Sequence, residues 1–140
     1  MPFLQQLSTP TVLLWSLALA MVLVYAPFLV VAYSRFKVGY DMAAPRTMLD
    51  KLPAFAQRAT WAHQNSFEAF SLFAVAALMA YVTQVQSPLA AVAAIVHIFA
   101  RSLYSVFYIL NLPLLRSLMF GLGGLGTATL VGLSLLQINF

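Results

Sequence analysis

Arg58-Ala59-Thr60-Trp61-Ala62-His63-Gln64-Asn65-Ser66-Phe67-Glu68 runs without a break into residues 69–82, which are almost wholly apolar. One helix over 53–82 carries its polar groups in the opening turns and an apolar barrel behind them. At 1.5 Å per residue it is about 45 Å long, more than a hydrocarbon core of roughly 30 Å, so its first turns project into the headgroups or the cytosol. At about 100° per residue, Arg58, Trp61, Asn65 and Glu68 share one third of the circumference, while His63 points elsewhere. An acid, an amide, an imidazole and a guanidinium placed there need partners, because an unpaired charge in hydrocarbon is costly. The face holding Asn65 and Glu68 is therefore expected to look into protein.

Composition fixes the class around this stretch. Of 140 residues, 63% are hydrophobic and only 7% are charged, with a mean hydropathy of +0.92. This is an integral membrane protein of one domain. Cysteine is absent, which excludes disulfides, thiolate catalysis by the protein and Cys-ligated metals. His63 and His97 lie on different spans without ligand spacing, so no metal site is expected. The net charge is +4, but the basic residues are few and clustered. They are a topology signal and not a nucleic-acid footprint. Residues 1–6 have no basic region and no small-residue cleavage site follows, so the first apolar run is expected to stay as an anchor.

Ser8-Thr9-Pro10 reads as a helix start, and span one covers 11–33 with Pro27 inside it. Proline is tolerated there because neighbours re-satisfy the freed carbonyl. The cytosolic loop 34–57 sets Arg35, Lys37, Arg46 and Lys51 against Asp41 and Asp50. It is the first candidate for substrate gating or partner contact. Span two covers 58–82, span three 88–110. Span three bears His97, Arg101, Tyr104, Tyr108 and Asn111 at gaps that keep them near one face. Arg101 needs a carboxylate or a water-filled cavity. Glu68 is the one acid inside a span, so an Arg101–Glu68 pair, within or between subunits, is expected. Arg116-Ser117 lead span four, 115–136. The glycines between Gly121 and Gly126 suit close helix packing; no strand precedes them, so they do not form a dinucleotide loop.

Basic residues occupy the first connection and its edges (Arg35, Lys37, Arg46, Lys51, Arg58) and the edge of the third (Arg116). The second connection and both tails have none. Both termini are therefore expected on the non-cytosolic side. Arg58, Asn65, Glu68, Arg101, Tyr104, Tyr108 and Arg116 then all fall in the cytosolic half.

These residues carry a resemblance. Arg58-x4-His63-x-Asn65-x2-Glu68, then Ala100-Arg101-x2-Tyr104-x3-Tyr108, then Pro113-x2-Arg116-Ser117 resemble the signature of the membrane-associated proteins in eicosanoid and glutathione metabolism, the MAPEG family. The resemblance covers essentially the whole chain. It implies an all-α, left-handed bundle of four transmembrane helices that forms a homotrimer and binds glutathione between subunits near the cytosolic face. By resemblance, Arg58, Asn65 and Glu68 hold the glutathione backbone, with Glu68 near its amino group. His63 reaches from the adjacent surface of the same helix, Tyr104 and Tyr108 line the peptide or the acceptor, and Arg116 with Ser117 stabilises the thiolate. Arg35 is a carboxylate partner. Arginine forks suit the two carboxylates of glutathione, and a cation beside a thiol raises its thiolate fraction. Arg101 joins the same cofactor-binding set through its stripe. The chain departs from the family where several catalytic members carry a second arginine, here Trp61, and where a tyrosine often follows the glutamate, here Ala69.

Three functions stay open. The first is a glutathione-dependent transferase or peroxidase acting on lipophilic electrophiles that arrive from the bilayer. The second is a non-catalytic MAPEG-like protein whose polar site is structural, with Asn65 and Glu68 as glue between helices, or binds another anion. The third is a small proton-coupled exporter, disfavoured because such transporters usually place their glutamate in span one, whereas Glu68 lies in span two, after Arg58 and Asn65.

Overall fold

A proline stands at or beside the start of every long helix, where its fixed φ and missing N–H do no harm. The computed structural model describes residues 8–138. Helix α1 is Thr9–Lys37, with Pro10 in its first turn. Pro53 caps α2, Ala54–Val82. Pro88 opens α3, Pro88–Ile109, where the Ser87 side chain also accepts from the Leu89 N–H. Pro113 opens α4, Pro113–Ile138. All four helices are long and apolar enough to cross a membrane, and the described residues contain no strand. This is the architecture of an all-α, multi-pass membrane bundle.

Helix α1 ends at a left-handed glycine, Gly39 with φ 89°, and two further helices end on left-handed residues that are not glycine. Gln84 has φ 56° and Asn111 has φ 60°. At the first, Val85 N–H donates to the Ala80 carbonyl and Gln84 N–H to the Tyr81 carbonyl; at the second, Leu112 donates to Phe107 and Asn111 to Tyr108. Both are Schellman closures, in which glycine is the commonest left-handed residue. Asn111 therefore belongs to the cap and leaves the face of His97 and Arg101, where an unbroken helix would have put it. Asparagine tolerates this conformation better than glutamine does. Gln84→Gly is expected to raise stability by up to about 1 kcal/mol, and Asn111→Gly by less, both read as thermal midpoints in detergent.

The first connection is shorter and more ordered than a loop over 34–57 implies. Helix α1 continues to Lys37, with Arg35 and Lys37 in its last turn, where cations complement the helix dipole. A 3-10 helix, Pro45–Lys51, follows. The Asp41 carboxylate accepts from the Ala43 and Ala44 N–H groups at 2.9 and 3.2 Å. Met48 is fully buried, and Leu52 packs with Val31, Ala56 and Ala59. The connection is a packed strap.

Small residues set how closely the bundle packs. Helix α2 buries Ala56, Ala59, Ala62, Ser66, Ala76, Ala77 and Ala80. Helices α1 and α4 flank the α2–α3 pair, and α3 with α4 is the closest pairing. That closeness rests on Gly126, where an added Cβ would lie 2.6 Å from the Ala93 carbonyl oxygen.

Candidate functional site at the α2–α3–α4 cleft

Helix α2 enters the bundle from the strap, and Asn65 lies eleven residues along it, about 16 Å at the helical rise. Arg101 comes up from α3 on the facing side. Its Nη2 donates to Asn65 Oδ1 at 2.9 Å and to Ser66 Oγ at 3.4 Å. The Asn65 amide in turn donates to Glu68 Oε2 at 3.4 Å. The expected Arg101–Glu68 pair is thus made through Asn65. The reason is burial: Arg101 is 5% exposed, whereas Glu68 lies one turn beyond Asn65 on the open face of α2. The amide accepts from the cation and donates to the anion, which suits an inaccessible charge beside an accessible one.

Aromatic contacts continue the site toward the third connection. The Arg101 guanidinium lies 4.0 Å from the Tyr104 ring centroid. Tyr104 meets Tyr108 edge-on at 5.6 Å, and Arg116 lies over Tyr108 at 4.6 Å. Cation–π contacts of this geometry contribute about 0.5–2 kcal/mol each. Glu68, Asn65, Arg101, Tyr104, Tyr108 and Arg116 therefore form one connected ladder.

The remaining residues of the expected site stand apart from the ladder. Arg58 Nε donates to the Ile109 carbonyl at 3.0 Å, closing the end of α3. His63 Nδ1 is 2.7 Å from the Val24 carbonyl, and its ring packs between Tyr25 and Phe28. That carbonyl follows the one of Leu23, whose helical donor is the N–H that Pro27 lacks. Arg35 lies 5.8 Å from the Phe28 ring on the α1 flank. Ser117 is exposed next to Arg116.

Below Asn65, Glu68 and Arg101 opens a cavity of about 480 Å³. Its walls are apolar, with Leu72, Val75, Phe120 and Val131 among them. Leu72, Val75 and Phe120 are also surface residues of the lipid-crossing helices. Besides Asn65, Glu68 and Arg101 at its head, His97 and Thr127 bring polar groups to the wall. His97 Nδ1 lies 3.0 Å from the Gly123 carbonyl and 3.1 Å from Thr127 Oγ1, with the ring stacked on Phe73 at 3.9 Å. Ser66, Gly123 and Thr127 are absent from a site read off motifs. The four-residue spacing of Gly123 and Thr127 marks a shared helix face, but nothing in the sequence pairs that face with His97.

Four membrane-crossing helices with a polar ladder beside a cavity of mostly apolar walls define a multi-pass membrane protein. The sequence profile of the MAPEG family matches residues 12–136 of the chain, and the chain belongs to that family. No curated protein and no solved structure matches it significantly.

Proposed function

We propose that this protein is a glutathione-dependent enzyme of the transferase or peroxidase type, acting on lipophilic electrophiles that enter from the bilayer. The MAPEG family includes glutathione-dependent enzymes. The observation that carries the reading is the placement of Glu68, Asn65 and Arg101 at the head of the apolar cavity. The donor set fits glutathione. Glu68 is exposed and takes one long bond from Asn65, which leaves carboxylate capacity for an ammonium. Arg116 holds a partly exposed guanidinium over Tyr108, suited to an anion. Bound glutathione supplies a nucleophilic thiol. Arg116, with Ser117 beside it, favours the thiolate over the thiol, Arg101 fixes Asn65, and the cavity below admits an apolar acceptor and excludes water. The same reading places the ladder in the cytosolic half, the termini on the opposite side and the site at the interface of a homotrimer.

Turnover of an aryl halide with glutathione, followed by absorbance, tests the proposal. Arg116→Ala is expected to lower the rate by about 10²-fold, as loss of one charge-stabilising donor does. Its thermal midpoint should barely move, since its cation–π contact is partly exposed. No turnover by the wild-type protein with a panel of electrophiles would count against catalysis.

A second reading is a non-catalytic member with a structural polar site. The Arg58–Ile109 bond favours it, as does Trp61 where a cation often stands. Glutathione binding without turnover would support this reading.

A further inference from the structure

The cavity below Asn65, Glu68 and Arg101 has one of its walls on α4. Six residues of that helix line it: Phe120, Gly123, Gly124, Thr127, Ala128 and Val131. At about 100° per residue they spread over about 140° of the helix, and Gly124 lies about 30° from the middle of that arc. A side chain at Gly124 would therefore point into the cavity. Space to receive it exists, since an added Cβ would meet nothing within 4 Å. At Gly123 an added Cβ meets Arg101 Cδ at 3.3 Å, and at Gly126 the Ala93 carbonyl oxygen at 2.6 Å. Helix packing accounts for those two glycines and leaves Gly124 unexplained.

The level of Gly124 along the cavity gives it a use. Gly123 stands beside Arg101, and Thr127 Oγ1 lies 3.1 Å from His97 Nδ1. Gly124 is thus just below the ladder, between the levels of Arg101 and His97. From Gly124 to Val131 the α4 wall runs on for about 10 Å at the helical rise, and Leu72 and Val75 continue the wall on α2. The whole cavity is about 480 Å³, in the lower part of the range for small-molecule sites. The four carbons of a leucine side chain at Gly124 would obstruct the way from the polar head to the lower part.

We infer that Gly124 is a specificity-determining residue: its missing side chain lets the apolar tail of an acceptor run from the ladder into the lower part of the cavity. The inference rests on the glutathione-dependent reading proposed above. The acceptor class it defines is an electrophile with its reactive carbon at one end and a slender apolar tail of up to about 10 Å behind it.

A series of α,β-unsaturated aldehydes from pentenal to dodecenal tests this, because the reacting head is constant while the tail grows. The glutathione thiolate adds to the β-carbon, the α-carbon takes up a proton and nothing leaves, so loss of the conjugated absorbance reports the rate. For the wild-type protein, kcat/KM should rise with tail length. Gly124→Leu should lower the ratio of kcat/KM for dodecenal over pentenal about tenfold or more, as misfit in an apolar pocket does. Gly132→Leu is the control. Gly132 is exposed, and an added Cβ there also meets nothing within 4 Å, but it lies outside the cavity wall, so the ratio should hold. A flat wild-type series, an unchanged ratio in Gly124→Leu or an equal fall in Gly132→Leu overturns the inference and leaves the enzyme reading intact. No turnover of any aldehyde by the wild-type protein counts against that reading and removes the inference with it. Where Gly124→Leu does not fold, Gly124→Ala carries the test, with a smaller fall in the same ratio.

Discussion

Gly126→Ala is expected to cost about 3 kcal/mol or more, the upper range for overpacking a tight core, and to lower the thermal midpoint in detergent by roughly 10 °C. The new methyl would sit 2.6 Å from a backbone oxygen, that of Ala93, and 3.4 Å from the His97 Cβ. A backbone atom cannot rotate away as the end of a side chain can, so α3 and α4 must separate along their contact. Two neighbours calibrate the claim. At Gly124 nothing lies within 4 Å of an added Cβ, and at Gly123 the nearest atom is the flexible Arg101 Cδ at 3.3 Å. Gly124→Ala should leave the midpoint nearly unchanged and Gly123→Ala should fall between. Equal effects at all three positions would mean that the α3–α4 approach is not set by Gly126.

Asn65→Leu is the second large effect expected, about 3–5 kcal/mol, because it strips the partner from a buried cation. The Arg101 guanidinium then keeps only the 3.4 Å contact to Ser66 and the Tyr104 ring face. Arg101→Met removes the charge with the chain length kept, so it should cost less. The double variant should recover much of the Asn65→Leu loss, with a coupling of about 1–3 kcal/mol in the thermodynamic cycle. Additive losses would show that the Asn65–Arg101 bond contributes little. The measurement is reversible unfolding in mixed micelles, with helicity as the signal.

The membrane bundle was legible because it rests on long apolar runs and proline punctuation, which are properties of single segments. Five of the six ladder residues were legible for a similar reason: four-and-three spacing puts them on helix faces, and a buried charge demands company; Arg116 came from the family resemblance alone. Pairing within one chain was not legible. Charge counting joins Arg101 to Glu68, whereas the buried cation takes the adjacent amide and leaves the acid on the open face. His63 and Arg58 belong to a matching motif, yet each is spent on a backbone carbonyl, one beside Pro27 and one at the end of α3. Such carbonyls carry no mark in a sequence. Gly124 and Gly126 look alike on paper, and only the distance to Ala93 separates them. The strap between α1 and α2 reads as a polar loop because its anchor is one methionine, Met48, amid charged neighbours.

Isothermal calorimetry of glutathione with purified, detergent-solubilised protein tests the proposed function most directly. Saturable heat from the wild-type protein is expected, lost in both Glu68→Gln and Arg116→Ala while their helicity is retained. No heat at millimolar glutathione, from protein shown to be folded, would contradict glutathione chemistry at this cleft and leave the polar ladder as a structural device.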